Sequence, residues 1–400
     1  MKKSSPALAF CALAAALGLG AAPASAGGWQ QPPGQVPEAG EVRTVAEGLT
    51  TPLSLAVGRG GDTYVAQSFA GLLTRISPDG AAETLATGPA GYLTASVSHR
   101  RGTTYYTEST GADTGSPVTN ISTLKSINRE GTVETLANIS EFEYTENPDS
   151  VNTYGFDDLD AACAAQLEFP ATYPGRPDSN PFASLPSGRG KVLVADAGMN
   201  AVVEVDLEDG SISTVAVLPP RPLTLTAEIV AEAGFPACAI GAVYNLEPVP
   251  TDLAWGPDGA LYVTSLPGGP EGTGPNLGSV FAVDVNTGGT ELAATGFNGA
   301  TGLAVNDNGD IFVAELFGNR ISVVPAGTRT PQLFLAVNQP SALDLRGSTL
   351  YATTDVLPPG GVPEPGAEPV EPPAAPAPPA GKIISIGLDA QCGSQGEDRD

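Results

Sequence analysis

Among the side chains able to do chemistry, carboxylates and amides stand out. A polar residue closes a short aromatic strand at six places: Gln67, Glu108, Asp196, Ser265, Glu315 and Thr354. Repeated once per structural unit, these would form a polar ring at one mouth of a central channel. Its acids, Glu108, Asp196 and Glu315, are candidate ligands for Ca²⁺ or another divalent cation, because oxygen donors from several segments suit a hard ion. Such an ion could activate water or polarise the carbonyl of a lactone or ester. Gln67, together with Asn180, Thr251 and Asp252 near the starts of neighbouring strands, would line the same channel. These positions also have a structural use, since an acid at a strand end can accept hydrogen bonds from the backbone of the next turn.

Other chemistries fail by subtraction. The sole histidine is His99, in Ser98-His-Arg-Arg-Gly102. That segment reads as a polar turn between strands, which makes His99 a surface residue. One isolated His without a Gly-x-Ser-x-Gly elbow leaves no serine triad. No Cys-x-x-Cys or His-x-x-x-His pair offers a zinc site. The glycine-rich stretch 269–278 contains Pro and does not open a helix, so it lacks the form of a phosphate cradle.

The elements that must position these residues repeat along the chain. Each copy opens with a short apolar strand, followed by a Gly-containing turn and an aromatic-rich strand. The clear copies pair 51–57 with 63–67, 250–255 with 261–265, 300–305 with 311–315 and 340–345 with 350–354. Segments 92–98 with 104–108 and 180–185 with 192–196 complete six. Pro257-Asp-Gly259 and Asp307-Asn-Gly309 supply positive-φ positions for tight hairpins. A third strand follows in most copies (72–76, 202–205, 280–283, 321–324), then a fourth (83–86, 133–136, 213–217, 291–294, 332–335). Four strands per copy predict an all-β fold, a six-bladed β-propeller of four-stranded antiparallel blades. The last copy ends at 382–388, and 42–48 reads as a spare fourth strand. Pairing them closes the ring and protects an open edge.

The spacing is uneven because of two insertions, about 141–178 and 219–248. Each is expected to hold a short helix, at 158–167 and at 226–233, the second with a capping Thr226 and a stop at Gly234. Cys163 lies in the first insertion, Cys238 in the second and Cys392 in the acidic tail 391–400. Three pairings are open by spacing, and a Cys163–Cys238 bridge is preferred because it would staple the insertions together. The stretch 357–381 is rich in Pro, Glu, Ala and Gly, and reads as an extended loop within the sixth blade. Residues 27–40 read as a flexible leader.

The start of the chain reads as an export signal. Lys2 and Lys3 precede an apolar run, and Ala24-Ser-Ala26 marks cleavage after Ala26, giving a signal peptide of 1–26. Without Lys2 and Lys3, 16 basic residues face 44 acidic ones, a formal charge of −28. A surface this acidic repels nucleic acid and anionic lipid. The mature chain is expected outside the cell, with no membrane span and as a monomer.

The run Glu247-Pro-Val-Pro-Thr251, Gly256-Pro-Asp-Gly259 and Leu266-Pro-Gly-Gly-Pro-Glu271 makes the pattern more specific. Val194-Ala-Asp-Ala-Gly-Met-Asn200 has the form of an NHL-type turn. With Asp178-Ser-Asn-Pro-Phe182, Ala314-Glu-Leu-Phe-Gly318 and Tyr351-Ala-Thr-Thr-Asp355, the chain resembles the ScyD/ScyE family of exported NHL-like propellers, from about 42 to 388. The long 357–381 loop departs from the family pattern. The resemblance implies the fold, export and cysteines at Cys163 and Cys238, and it carries no reaction. The function expected is therefore an extracellular binding or scaffold protein for an undefined small molecule or protein. The alternative is a lactonase-like metal-dependent hydrolase with its site in the channel.

Overall fold

Short apolar segments joined by tight turns fold into antiparallel meanders. In one, Pro250–Trp255, Leu261–Ser265, Gly278–Asp284 and Gly289–Phe297 pair in order, with Leu253 opposite Val263 and Val263 opposite Phe281. Its first turn requires Gly259, whose φ is 84° and whose N–H donates to Gly256 O at 3.1 Å. A Cβ-bearing residue would be strained there. The computed structural model describes residues 36–188, 190–269, 276–358 and 380–389.

Seven four-stranded sheets are present among the described residues, one more than the repeats predict. In six of them, first strands neighbour one another in a cycle: Pro52–Val57, Leu93–Arg100, Pro181–Gly188, Pro250–Trp255, Ala300–Val305, Leu343–Arg346 and back to Pro52–Val57. Each junction of the cycle has its own apolar cluster. Tyr64 and Leu73 meet Tyr106 and Ile127 at one; Leu193 and Val202 meet Val263 and Phe281 at another. Phe312 and Phe334 meet Leu350 and Ile386 at a third. Burial of such side chains stabilises by roughly 1.5–3 kcal/mol each, so the core is distributed between sheets and has no single centre.

The N-terminal strand Glu38–Leu49 pairs antiparallel with Gly381–Asp389, Val42 opposite Ile386. The pairing begins at Glu38, so the end of the expected leader belongs to a strand. It gives Gly381–Asp389 a partner on each side and covers what would be an open edge.

The seventh sheet comes from the insertions alone. Thr172–Pro174, Thr153–Phe156, Val243–Leu246 and Arg221–Thr224 pair in that order, two strands from each insertion. It has its own core of Phe156, Cys163, Val230, Phe235, Tyr244 and Leu246, and a disulfide joins Cys163 to Cys238. The expected helices are shorter than the sequence suggests, Ala161–Ala164 and Ala227–Glu232. Thr226 does cap the second, its side chain accepting from Ile229 N. A further helix, Ile139–Glu146, is capped by Asn138, whose side chain accepts from Glu141 N. The signal peptide and its cleavage after Ala26, residues 27–35 of the leader, 359–379, and the tail with Cys392 lie outside the described residues.

Candidate functional site

Each first strand starts where its second strand ends: Pro52 is opposite Gln67, Pro181 opposite Asp196, Pro250 opposite Ser265 and Ala300 opposite Glu315. This end of the strands is called the upper face below, and the other end the lower face. The six first strands line a channel of about 360 Å³. Polar side chains in its wall latch one sheet to the next. Asp252 accepts from Leu303 N at 2.7 Å, and Asp344 from Val57 N at 2.6 Å. Thr251 donates to Ala300 O at 2.9 Å. Burial raises the Asp252 carboxyl to about 7, countered by the backbone N–H groups it accepts.

The strand-end residues serve the same end by a repeated clasp. Gln67 Oε1 accepts from Thr50 N, Asp196 Oδ1 from Asn180 N and Glu315 Oε2 from Asn298 N, each at 2.7 Å. The donors Thr50, Asn180 and Asn298 lie just before a first strand, so each clasp fixes where that strand begins. Glu315 also pairs with Arg320 at 2.7 Å, and Glu108 pairs with Lys125 at 2.5 Å. Ser265 donates to Pro248 O, and Thr354 donates to Asp355 at 3.2 Å. The expected cation ligands Glu108, Asp196 and Glu315 therefore do not converge. Each carboxylate is held by partners in its own sheet or in the segments that join its strands. Among the described residues, no group of three His, Cys, Asp or Glu side chains is placed to hold a metal ion.

The upper face carries a different polar constellation; Asp178, Asp196, Asn200 and Glu247 lie in motifs quoted above, but nothing in their spacing signals that they converge. Helix Ile139–Glu146 brings Glu143, fully buried, against Asp178, whose N–H donates to Glu143 Oε1 at 3.3 Å. Burial, with the charges of Asp196 and Asp149, pushes the Glu143 carboxyl up to about 9. Asp149 accepts from Tyr154 OH at 3.0 Å and from Asn200 Nδ2 at 2.9 Å. Asn200 also donates to Glu247 Oε2 at 3.2 Å, and Tyr173 OH donates to Glu247 Oε1 at 3.0 Å. Burial raises Asp149, Asp178 and Asp196 each to about 6. Glu143 Oε2 and Asp149 Oδ1 have no hydrogen-bond partner among the described residues.

Above this network opens a cavity of about 620 Å³, lined by Asp113, Tyr173, Arg176, Asp178, Asn180 and Glu247 among others. Arg176 lies over the Tyr173 ring, 5.1 Å from its centroid. Of the channel candidates, Asn180 reaches this cavity, while Gln67, Thr251 and Asp252 are taken up by clasps and latches. The arrangement offers fixed acceptors, one cation and an aromatic face, a set that recognises polar small molecules. His99 is remote from it. Rather than sitting in a turn, it is the penultimate residue of strand Leu93–Arg100 near the lower face, half-buried and stacked on Tyr64 with centroids 4.2 Å apart.

No family model matches the chain, and no curated protein matches it. Solved structures do. A Thermus thermophilus protein described as a candidate oxidoreductase (glucose dehydrogenase) is 14% identical, over 86% of this chain and 99% of its own, with a TM-score of 0.51. A gluconolactonase from Xanthomonas campestris is 11% identical, over 90% of this chain and 98% of its own, with a TM-score of 0.50. At these identities the likeness shows the fold alone, and that fold is a β-propeller built of four-stranded antiparallel sheets.

Proposed function

We propose that the protein is an exported, ScyD/ScyE-like binding propeller of six blades, with the insertion sheet standing on the ring as a cap. The cycle of six first strands, each junction with its own core, supports the blade count. Its ligand is a small polar molecule bearing hydroxyl or ammonium groups, held at the upper cavity. One observation carries this reading: Asp113, Asp178 and Glu247 surround a concave site with Tyr173 and a single Arg. Three acids against one base favour neutral or cationic ligands over anions. The insertions that supply Tyr173, Arg176, Asp178 and Glu247 to the site are covalently stapled, which favours a pre-formed pocket over a mobile one. Among the described residues no helix is long and apolar enough to cross a membrane.

The test is a thermal-shift and calorimetric screen of sugars, polyols, aldonolactones and polyamines, with Glu247→Gln and Tyr173→Phe beside the parent protein. Binding to the parent that weakens about tenfold in either variant supports the reading. A panel without response, or one blind to both substitutions, overturns it. Turnover of a lactone that needs an added divalent cation would instead favour the hydrolase. Mass spectrometry of the exported protein, expected to begin at Gly27, tests the route out of the cell.

A further inference from the structure

The lower face carries a cavity of about 840 Å³ whose wall contains six arginines, Arg59, Arg75, Arg100, Arg101, Arg129 and Arg346, against three acids, Asp62, Glu83 and Glu130. The whole chain has 18 Lys and Arg against 44 Asp and Glu, so a third of its cations surround one hollow. They come from three neighbouring sheets, Arg75 from within strand Leu72–Ile76 and the others from strand ends and the turns that follow. Arg59 follows strand Pro52–Val57, Arg100 ends Leu93–Arg100, Arg129 follows Ile121–Ile127, and Arg346 ends Leu343–Arg346.

In a chain this acidic, arginines placed for solubility alone would find carboxylates. Among the described residues only Arg75 does so here, with Asp62 at 3.0 Å and Glu83 at 3.5 Å. Arg100 donates to Pro186 O at 3.1 Å and Arg346 to Arg59 O at 2.5 Å, both backbone carbonyls. Arg59, Arg101 and Arg129 have no ion pair among the described residues. Gathering them sets up mutual repulsion that a bound anion would relieve. Local packing also makes room for the charge: Gly102 has φ of 89°, and a Cβ there would collide with the Arg129 guanidinium. The stacked rings of Tyr64 and His99 form part of the cavity wall.

We propose that this lower cavity binds a compact polyanion carrying two or more oxyanion groups, of phosphate or carboxylate type. Guanidinium groups recognise both through paired N–H donors. The ligand is compact because the chain as a whole is strongly acidic. A long polyanion would run onto a surface whose net charge is strongly negative and be repelled.

The experiment uses tag-free full-length mature protein and three probes: inorganic pyrophosphate, citrate and a heparin oligosaccharide. Calorimetry in chloride buffer measures affinity. Because the chain has one histidine, its imidazole NMR signals report binding at the lower face, where His99 lines both this cavity and the adjoining channel. Pyrophosphate or citrate should bind and shift the His99 signals, and whichever binds more tightly identifies the oxyanion type. The triple variant Arg59→Gln, Arg101→Gln, Arg129→Gln should weaken binding about tenfold or more. Arg329→Gln, which removes an outer-surface partner of Glu291, should change it less than about twofold. The proposal is overturned if neither small anion binds, if heparin alone binds, or if the triple variant binds as the parent does.

Discussion

The two faces of the propeller handle charge in opposite ways. On the upper face, acids are buried together beneath a stapled cap, and protons and hydrogen bonds offset their repulsion. On the lower face, arginines are gathered around an open hollow, and water with mobile ions offsets theirs. Asp196 is completely buried and accepts from Ser179, Asn180, Gly198 and Met199. Arg59, Arg101 and Arg129 are exposed and have no ion pair among the described residues. A buried charged group becomes part of the fold, whereas an exposed one remains available for a ligand. Substitutions of the fully buried upper-face acids Glu143, Asp149 and Asp196 should therefore act on stability, and substitutions of the exposed lower-face arginines on binding.

The sharpest way to break this contrast is to remove the staple. Cys163 and Cys238 are 75 residues apart, and a cross-link of that span restricts the unfolded chain by about 4 kcal/mol in the loop-entropy account. Cys163→Ser with Cys238→Ser should lower stability by roughly 2–5 kcal/mol in guanidinium unfolding. Hydrogen exchange should localise the loss. Amides of Thr153–Phe156 and Val243–Leu246 should lose protection first, while those of Ile311–Glu315 in the ring keep theirs. Equal loss in both regions would show that cap and ring are one cooperative unit.

Next in size is Asp196→Ala. It leaves the backbone N–H groups of Asn180, Gly198 and Met199 without this acceptor, at about 1–3 kcal/mol for a buried group left unpaired, while the Ser179 hydroxyl keeps Ser122 Oγ. Urea unfolding measures it. Asp196→Asn keeps an acceptor oxygen and should recover part of the loss. A loss below about 0.5 kcal/mol for Asp196→Ala would mean that water replaces the clasp.

The third prediction concerns pH. Glu143 holds its proton more tightly in the folded than in the unfolded protein, because its carboxyl is raised from the ordinary Glu range to about 9. The folded state then binds more protons than the unfolded one between those values. Its contribution to stability is complete below the ordinary range and is lost as pH rises toward 9. Asp149, Asp178 and Asp196, raised to about 6, act in the same sense over a lower window. Each such group takes away up to about 1.4 kcal/mol per pH unit while only the folded state holds the proton. The melting temperature should fall from pH 5 to pH 8. Glu143→Gln should flatten that fall by removing the highest-titrating group, and an unchanged slope would assign it elsewhere.

The ring was legible in the sequence because each blade repeats a local pattern. Apolar strand, glycine turn and aromatic strand lie within about fifteen residues of one another, so hairpin chemistry writes them into the chain. Closure by the N-terminal strand was legible for a related reason, as a spare strand stood at one end and a missing one at the other. The insertion sheet was not. Its strands have three or four residues, too few for a period to show, and its central pairing joins the two insertions across about ninety residues, Gly155 with Asn245. Helix Ile139–Glu146 carried a usable sign in Asn138 and Glu141, a cap with an acid three residues on. The strand-end acids were recognisable as a set, but their type alone could not separate metal ligand from clasp. That choice depends on the backbone N–H before the next first strand, which only the folded register supplies. The upper acids and lower arginines belong to turns and insertions far apart in sequence. They converge through ring geometry, so no spacing rule announces them.

The smallest expected effect sharpens the contrast most. Arg129→Gln should change folding stability by no more than about 0.5 kcal/mol, the range for a surface residue outside any paired network. Removing one of several like charges also relieves repulsion, so the change should lean toward stabilisation at low salt and vanish at high salt, where exposed charges are screened. Urea unfolding at about 20 mM and about 500 mM NaCl reads both terms. A destabilisation above about 1 kcal/mol would place Arg129 in the fold beside Asp196 and erase the difference between the faces. A near-zero value, in a residue that a glycine at position 102 leaves room for, means that its placement serves something other than folding.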